Sequence, residues 1–176
     1  MLTFPTCTLP SGQVLSLRKF TADDFEAVHA YATDPLVYQY TLWGPNSPEQ
    51  TQTFINEAMA EDPANLQLAV ALDGTVIGAG AVWATNTEHD CGELGYTLNR
   101  AYWGRGYATL VAGFLRDLGF GTLGLHRIEA TCSPENHGSR RVLEKTGFTY
   151  EGRLREHKLV RSQRRDSLVF SRLATD

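Results

Sequence analysis

Apolar and polar residues alternate over 14–20 (VLSLRKF), and this period of two predicts a first strand. Thr21, with Asp24 three residues on, makes a capping-box-like start for a helix over 22–33. Asp34-Pro35 ends that helix, because a residue before proline is pushed out of the α region. Ser47 as N-cap, Pro48 at the first helical position and Gln50 three residues after the cap predict a second helix, running to about Ala60 and stopping before Pro63. Residues 66–72 and 75–84 form two strands of a hairpin around Asp73-Gly74, a dipeptide that readily adopts the left-handed turn. A strand follows at 92–98. Leu110, Val111, Phe114, Leu115 and Leu118 then recur on one helical face, with Gly119 expected to end the pattern. Beyond it lie a strand at 127–132, a short helix at 137–146 closed by Gly147, and two antiparallel strands at 148–156 and 167–173.

The order is β-α-α-β-β-β-α-β-α-β-β. Strand, helix and strand over 92–132 predict parallel pairing across a right-handed crossover, and the flanking hairpins predict antiparallel neighbours. The fold class is therefore α/β in the α+β sense, a mixed sheet with helices on both faces. At 176 residues, with no repeat, low-complexity tract or long linker, the chain is expected to be a single domain over 1–176.

Composition narrows the classes. With 42% hydrophobic and 20% charged residues the chain is too apolar for disorder. No apolar stretch approaches the roughly 20 residues that span a bilayer, and the N-terminus does not read as a secretion signal, so no membrane partner and a cytoplasmic location are expected. Cys7, Cys91 and Cys132 are too scattered for a disulfide framework, no Cys/His cluster has zinc spacing, and no metal is expected. The net charge of −4 conceals an asymmetry, with three basic and twelve acidic side chains in residues 1–100 against thirteen and eight in 101–176. That balance favours a polyanionic ligand on the second half and a cationic acceptor near the first, if the fold keeps the two faces apart. A basic patch over Arg153, Arg155, Lys158, Arg161, Arg164 and Arg165 comes with no nucleic-acid motif, so nucleic acid is not the expected partner.

The segment Trp103-Gly104-Arg105-Gly106-Tyr107-Ala108 joins a strand to an amphipathic helix. Two glycines let backbone N–H groups converge, the helix N-terminus adds positive potential, and a pyrophosphate fits there. A Gly-Lys-Ser/Thr ending is missing, which excludes the nucleoside-triphosphate loop, and Thr109 stands where a dinucleotide fingerprint needs glycine. A tight turn without a ligand is the other reading. Asn136 and Ser139 likewise admit two readings, local caps of the helix they precede or the lining of a crevice beyond a strand end.

The stretch ELGYTLNRAYWGRGYAT, followed by RIEATCSPENHGSRRVLEKTGFTYEGRLRE, resembles the GNAT superfamily of N-acetyltransferases and, within it, the RimJ/RimL-like branch that acetylates the N-termini of ribosomal proteins. The likeness is strongest over 92–173, and LRKFTADDFEAVHAY with the hairpin at 66–84 agrees with it. It implies a GNAT-like acyl-CoA N-acyltransferase fold, a central, mostly antiparallel mixed sheet flanked by helices, with acetyl-CoA as cosubstrate. In that family a Q/R-x-x-G-x-G/A loop holds the pyrophosphate; residues 103–108 match it through Gly106 and Ala108, and Trp103 stands where Gln or Arg is usual. The coenzyme set implied by the resemblance is Leu98, Trp103, Gly104, Arg105, Gly106, Tyr107, Ala108, Thr109, Asn136 and Ser139. The same resemblance makes Ser139 the candidate general acid at the departing thiolate and Glu93 the candidate base, acting directly or through water.

Glu156 and His157 are the other candidate bases, and Lys158 stands where the RimJ/RimL branch often presents a glutamate. Cys132, at a strand end with no histidine placed beside it, reads as a small buried hydrophobe and not as a nucleophile. The resemblance implies direct attack by the amine in a ternary complex, with no covalent intermediate. The resemblance implies a primary amine as acceptor, and a protein N-terminal α-amine is expected because its pKa of about 8 makes deprotonation easier than for lysine at about 10.4. A polyamine, aminoglycoside or amino acid is the alternative acceptor, and a CoA-holding module the non-enzyme alternative. Monomer and homodimer are both compatible with the sequence. Tyr38, Tyr40, Trp43, Trp83 and Tyr96 are candidate aromatics for the acceptor pocket.

Overall fold

The Asp73-Gly74 turn sets the register of the sheet's centre. In the structure, a computed structural model that describes residues 3–176, both turn residues have positive φ, 48° and 84°. That is the backbone of a two-residue hairpin loop, and it joins β3 (Asn65–Leu72) to β4 (Thr75–Asn86). Before this hairpin come β1 (Thr6–Thr8), β2 (Val14–Arg18), α1 (Phe25–Ala32), α2 (Pro35–Tyr38) and α3 (Pro48–Met59). After it come β5 (Cys91–Leu98), α4 (Tyr107–Gly121), β6 (Arg127–Cys132), α5 (His137–Lys145), β7 (Thr149–Val160) and β8 (Gln163–Leu173).

One eight-stranded sheet results, in the order β1-β2-β3-β4-β5-β6-β8-β7. Every neighbouring pair is antiparallel except β5 and β6, which are parallel as the strand-helix-strand pattern requires. The mixed, mostly antiparallel sheet flanked by helices is thus the observed architecture. On one face α4 sets Val111 and Leu115 over β4, close enough that a Cβ on Gly80 would stand 2.9 Å from Leu115 Cδ1. On the other face α1 and α3 bury Val28, Tyr31 and Ile55 against Ala69 and Ala79 of β3 and β4. The small residues of β3 and β4 admit helices on both sides.

Capping chemistry holds where it was legible. Ser47 Oγ accepts from Gln50 N–H, and Gln50 returns the bond to Ser47 N–H at 2.8 Å. Thr21 N–H donates to Asp24 Oδ2 at 2.8 Å, but residues 22–24 form a 3-10 turn before α1 begins at Phe25. Phe148 N–H bonds to Leu143 O across Gly147, whose φ is +83°, and this closes α5.

Several expectations need correction. The first strand stops at Arg18, and β1 carries no pattern long enough to announce it; α1 does end before Asp34-Pro35, but that dipeptide also opens an unforeseen short α2 with Asp34 as N-cap. Gly119 does not stop α4, which runs on to Gly121. A Cβ at Gly119 would lie 2.5 Å from Ile128 Cδ1, so glycine is there to let helix and strand approach. The last hairpin is longer than expected because its turn, Arg161-Ser162, reaches φ of 47° and 64° without glycine or asparagine.

Candidate active site

Parallel pairing between β5 and β6 lasts for only three residue pairs, Cys91↔Arg127, Gly92↔Ile128 and Glu93↔Glu129. Beyond Glu93 the strands part. A cleft of about 780 Å³ opens between Leu94–Leu98 on one side and Ala130–Ser133 on the other. Residues 102–104 and 106–109 line one end of it, and residues 36–37, 39–41, 135–139 and further positions of α5 line the rest.

The loop at that first end is built by two left-handed glycines, Gly104 at φ +74° and Gly106 at φ +82°. Alternating the backbone in this way turns successive N–H groups inward. Among the described residues, the N–H groups of Gly104, Arg105, Gly106, Tyr107 and Ala108 have no hydrogen-bond acceptor, and helical bonding resumes at Thr109 and Leu110 through Gly106 O. A Cβ at Gly104 or Gly106 would meet nothing within 4 Å, so only the backbone conformation and the space before the loop require glycine. Five free donors at the N-terminus of a 15-residue helix form a cradle for a polyanion.

Leu98, Trp103, Gly104, Gly106, Tyr107, Ala108, Thr109, Asn136 and Ser139 all line the cleft. Trp103, 45% exposed, is held by its indole N–H donating to Leu98 O at 2.8 Å. Arg105 is not brought in; its guanidinium lies over the Tyr102 ring, 5.8 Å from the centroid. Asn136 caps α5, with Oδ1 accepting from Ser139 N–H at 3.1 Å. The capping reading of Asn136 is therefore realised, and its side-chain NH2 stays available to the cleft.

Ser139 meets a partner that sequence reasoning named only as a pocket aromatic. Tyr96 Oη lies 3.1 Å from Ser139 Oγ and 3.3 Å from Ser139 O. Tyr96 comes from β5 and Ser139 from α5, so the pair bridges the two walls of the cleft. Burial drives the Tyr96 phenol far above its usual pKa, so it stays neutral. Burial also pushes the neighbouring Cys132 thiol up to about 11, which removes it as a nucleophile near neutral pH.

Glu93 sits at the fork itself, in register with Trp83 on β4 and Glu129 on β6. By strand alternation Glu93, Gly95 and Thr97 face away from α4, whereas Leu94, Tyr96 and Leu98 join the α4 core. Glu93 thus stands on the sheet face opposite the Tyr96–Ser139 pair and does not line the cleft. Glu156 and His157 are exposed on an irregular stretch of β7. Lys158 reaches back from β7 and donates to Thr131 Oγ1 at 3.0 Å.

A roof closes over this end. Tyr40 donates to Glu135 O at 3.3 Å, and Arg161 donates to carbonyls of the 38–44 loop, among them Tyr38 O at 2.9 Å and Gly44 O at 3.2 Å. Of the five aromatics, Tyr40 and Tyr96 line the cleft; Tyr38 packs under Arg161, Trp43 against Tyr31, and Trp83 beside Gly95. The acidic and basic halves of the chain do not separate into two faces, since the roof comes from the first half and Lys158 and Arg161 from the second. Among the described residues no group of acidic, histidine and cysteine side chains has metal-site geometry, and no helix is long and apolar enough to cross a membrane.

A family model described as an acetyltransferase (GNAT) domain matches residues 15–149. The chain is 33% identical over 164 residues to the uncharacterized N-acetyltransferase p20 of Bacillus licheniformis, covering 90% of this chain and 92% of that one. It superposes on a GNAT-family acetyltransferase of Bacillus anthracis with a TM-score of 0.84 at 34% identity, covering 92% and 96%. RimJ of Mycobacterium smegmatis, solved with CoA-disulfide, superposes with a TM-score of 0.83 at 26% identity, covering 98% and 87%.

Proposed function

The chain belongs to the GNAT family of acetyltransferases, and from that membership we propose that it acetylates an α-amine, with the N-terminus of a protein or peptide as the acceptor. It is an acetyl-CoA-dependent acetyltransferase. The observation that carries the finer reading is the fork in the sheet, with a polyanion cradle at one end and Glu93 beside the opening on the far face. Likeness to RimJ along nearly the whole chain supports the RimJ/RimL-like branch.

In this reading the free N–H groups of 104–108 hold the coenzyme's pyrophosphate, with Asn136 NH2 and the edge of β5 near Leu98 beside the pantetheine arm. Trp103 braces the loop through Leu98 and supplies no cation. The amine enters from the face of Glu93, attacks the thioester carbonyl and forms the C–N bond. As the C–S bond breaks, Ser139 donates a hydrogen bond or proton to the departing thiolate, and Tyr96 holds the Ser139 hydroxyl in place. Glu93, directly or through one water, removes the proton that the new amide nitrogen must lose. Cys132, protonated and buried, takes no covalent part.

An α-amine suits such a site. At pH 7.5 its deprotonation costs about 0.7 kcal/mol, against about 4 kcal/mol for a lysine. Glu93→Gln keeps the shape and removes the base, so turnover is expected to fall by about 10²-fold while acetyl-CoA affinity stays unchanged. Raising the pH supplies more neutral amine and restores rate, near pH 8–9 for an α-amine and only above about 10 for a lysine amine. A pH-rate series on matched N-terminal and lysine peptides, confined to pH values where the enzyme stays folded, tests both parts. Full activity of Glu93→Gln at pH 7 removes Glu93 from the mechanism. Preferred acetylation of the lysine peptide removes the α-amine assignment.

A further inference from the structure

The sheet face that carries Glu93 also carries a cation with no carboxylate beside it. Helices α1 and α3 pack chiefly on β3 and β4, so β5, β6 and β8 are met on that side chiefly by the 38–44 loop rather than by these helices. Along β6, strand alternation sets Arg127, Glu129 and Thr131 on this face. Arg127 is fully engaged, paired with Glu129 at 2.7 Å and with Glu151 at 2.5 Å. Lys158 lies two strands away on β7, and its side chain crosses β8 to donate to Thr131 Oγ1 at 3.0 Å.

Several neighbouring charges have partners. Arg153 pairs with Asp166 at 2.6 Å, and Arg161 is taken up by the carbonyls of the 38–44 loop. Arg165 donates to Gln39 O at 3.0 Å and lies in the field of Glu135, whose carboxyl is bound by Ser133. Glu156 and His157 are exposed on β7. Lys158 and its cross-strand neighbour Arg165 are both half-buried with no carboxylate within 4 Å among the described residues, but Arg165 is taken up by the roof carbonyl of Gln39, whereas Lys158 has only the Thr131 hydroxyl, which satisfies one of its three N–H donors. A half-buried ammonium with unused donors at the rim of a cleft is arranged to receive an anion.

Register gives the distance scale. Glu93 and Glu129 are direct neighbours across the fork, and Thr131 is two residues further along β6. One strand spacing of about 4.8 Å and two residues of about 3.3 Å each therefore separate the proposed base from the strand position that holds the ammonium. An amine and a carboxylate a few bonds apart fit between them, with the amine toward the fork. A linear polyamine would instead bring a second ammonium against Lys158.

We propose that Lys158, steadied by Thr131, is an anion subsite for the acceptor, so that the preferred acceptor is an α-amine bearing a carboxylate within a few bonds. This rests on the α-amine reading and deepens it. A free amino acid and a peptide with an acidic first residue share that chemistry.

The test compares two matched pairs, an amino acid against its carboxamide and an N-terminal Glu peptide against its Gln counterpart, in the wild type, Lys158→Gln and Lys158→Arg. Lys158→Gln is expected to lower kcat/KM by about ten- to a hundredfold for the carboxylate member of the preferred pair and by less than about threefold for its neutral partner. Lys158→Arg is expected to recover part of the loss, and melting temperature and acetyl-CoA affinity are expected to stay at wild-type values. Comparing each acceptor across variants cancels differences in amine pKa. The pair that shows the larger effect identifies the source of the carboxylate. Equal losses on charged and neutral members overturn the proposal while leaving the α-amine reading intact. A wild-type enzyme that prefers a polyamine to every α-amine acceptor overturns both.

Discussion

Ser139 is held from two sides, its amide bonded to Asn136 Oδ1 and its hydroxyl 3.1 Å from Tyr96 Oη. A serine is a weak acid on its own, and what improves it is a fixed direction for its hydrogen. In the proposed reaction the neutral phenol of Tyr96 donates to Ser139 Oγ, which leaves the serine hydrogen free to face the departing sulfur. Tyr96→Phe removes that donor without emptying the space, and it is expected to reduce kcat about tenfold with acetyl-CoA affinity unchanged. Ser139→Ala is expected to cost more, and the double variant no more than Ser139→Ala alone, since both substitutions remove one device. Steady-state rates with saturating acetyl-CoA, together with calorimetry, measure this coupling. Additive losses would show that Tyr96 acts apart from Ser139. Nothing local to GELGYTL announces the pair, because its members are 43 residues apart and meet only where β5 and α5 face each other.

At the scale of elements, the loop before α4 was the most legible part of the site, and its geometry ranks its residues. Gly106 takes φ +82° and sits among five free N–H groups, whereas Arg105 turns aside onto Tyr102. A non-glycine residue in this left-handed region costs about 1–2 kcal/mol, and the Cβ it adds meets no protein atom within 4 Å but narrows the space in which the proposed cradle would receive the pyrophosphate. Gly106→Val is therefore expected to weaken acetyl-CoA binding by more than about thirtyfold, and Arg105→Ala by less than about threefold. Calorimetric titration of both variants decides the matter, and equal losses would count against the backbone cradle. Trp103 was less legible. Its position in the loop was plain, but the bond from its indole to Leu98 O depends on how β5 ends.

Across the whole molecule, Arg161 ties the tip of the β7–β8 hairpin to a loop about 120 residues earlier in the chain. Its guanidinium donates to several carbonyls in the 38–44 loop and lies over the Tyr38 ring, 5.4 Å from the centroid. The loop it gathers carries Gln39, Tyr40 and Thr41, which roof the cleft. Arg161→Ala is expected to free the roof, raising acceptor KM about five- to tenfold while coenzyme affinity at the distant cradle remains unchanged. Hydrogen exchange over residues 38–44 is expected to quicken in the same variant. Unchanged exchange there would show that the loop holds itself.

The sequence alone determined the order of the main elements, the hairpin at Asp73-Gly74, the parallel crossover at 92–132 and the glycine turn at 104–106 that opens α4. These depend on periodicity, capping and turn chemistry, all of which act within a few residues. Tertiary structure alone decided that β5 and β6 part after Glu93, that Gly119 is a packing contact inside α4, and that β7 and β8 extend to a turn at Arg161-Ser162. It also decided that Tyr96 meets Ser139 and that Lys158 reaches Thr131, contacts that span 43 and 27 residues. Such pairings depend on sheet register, on where neighbouring strands diverge and on which face alternation presents. Those quantities arise only when the whole sheet is assembled, so no local pattern encodes them.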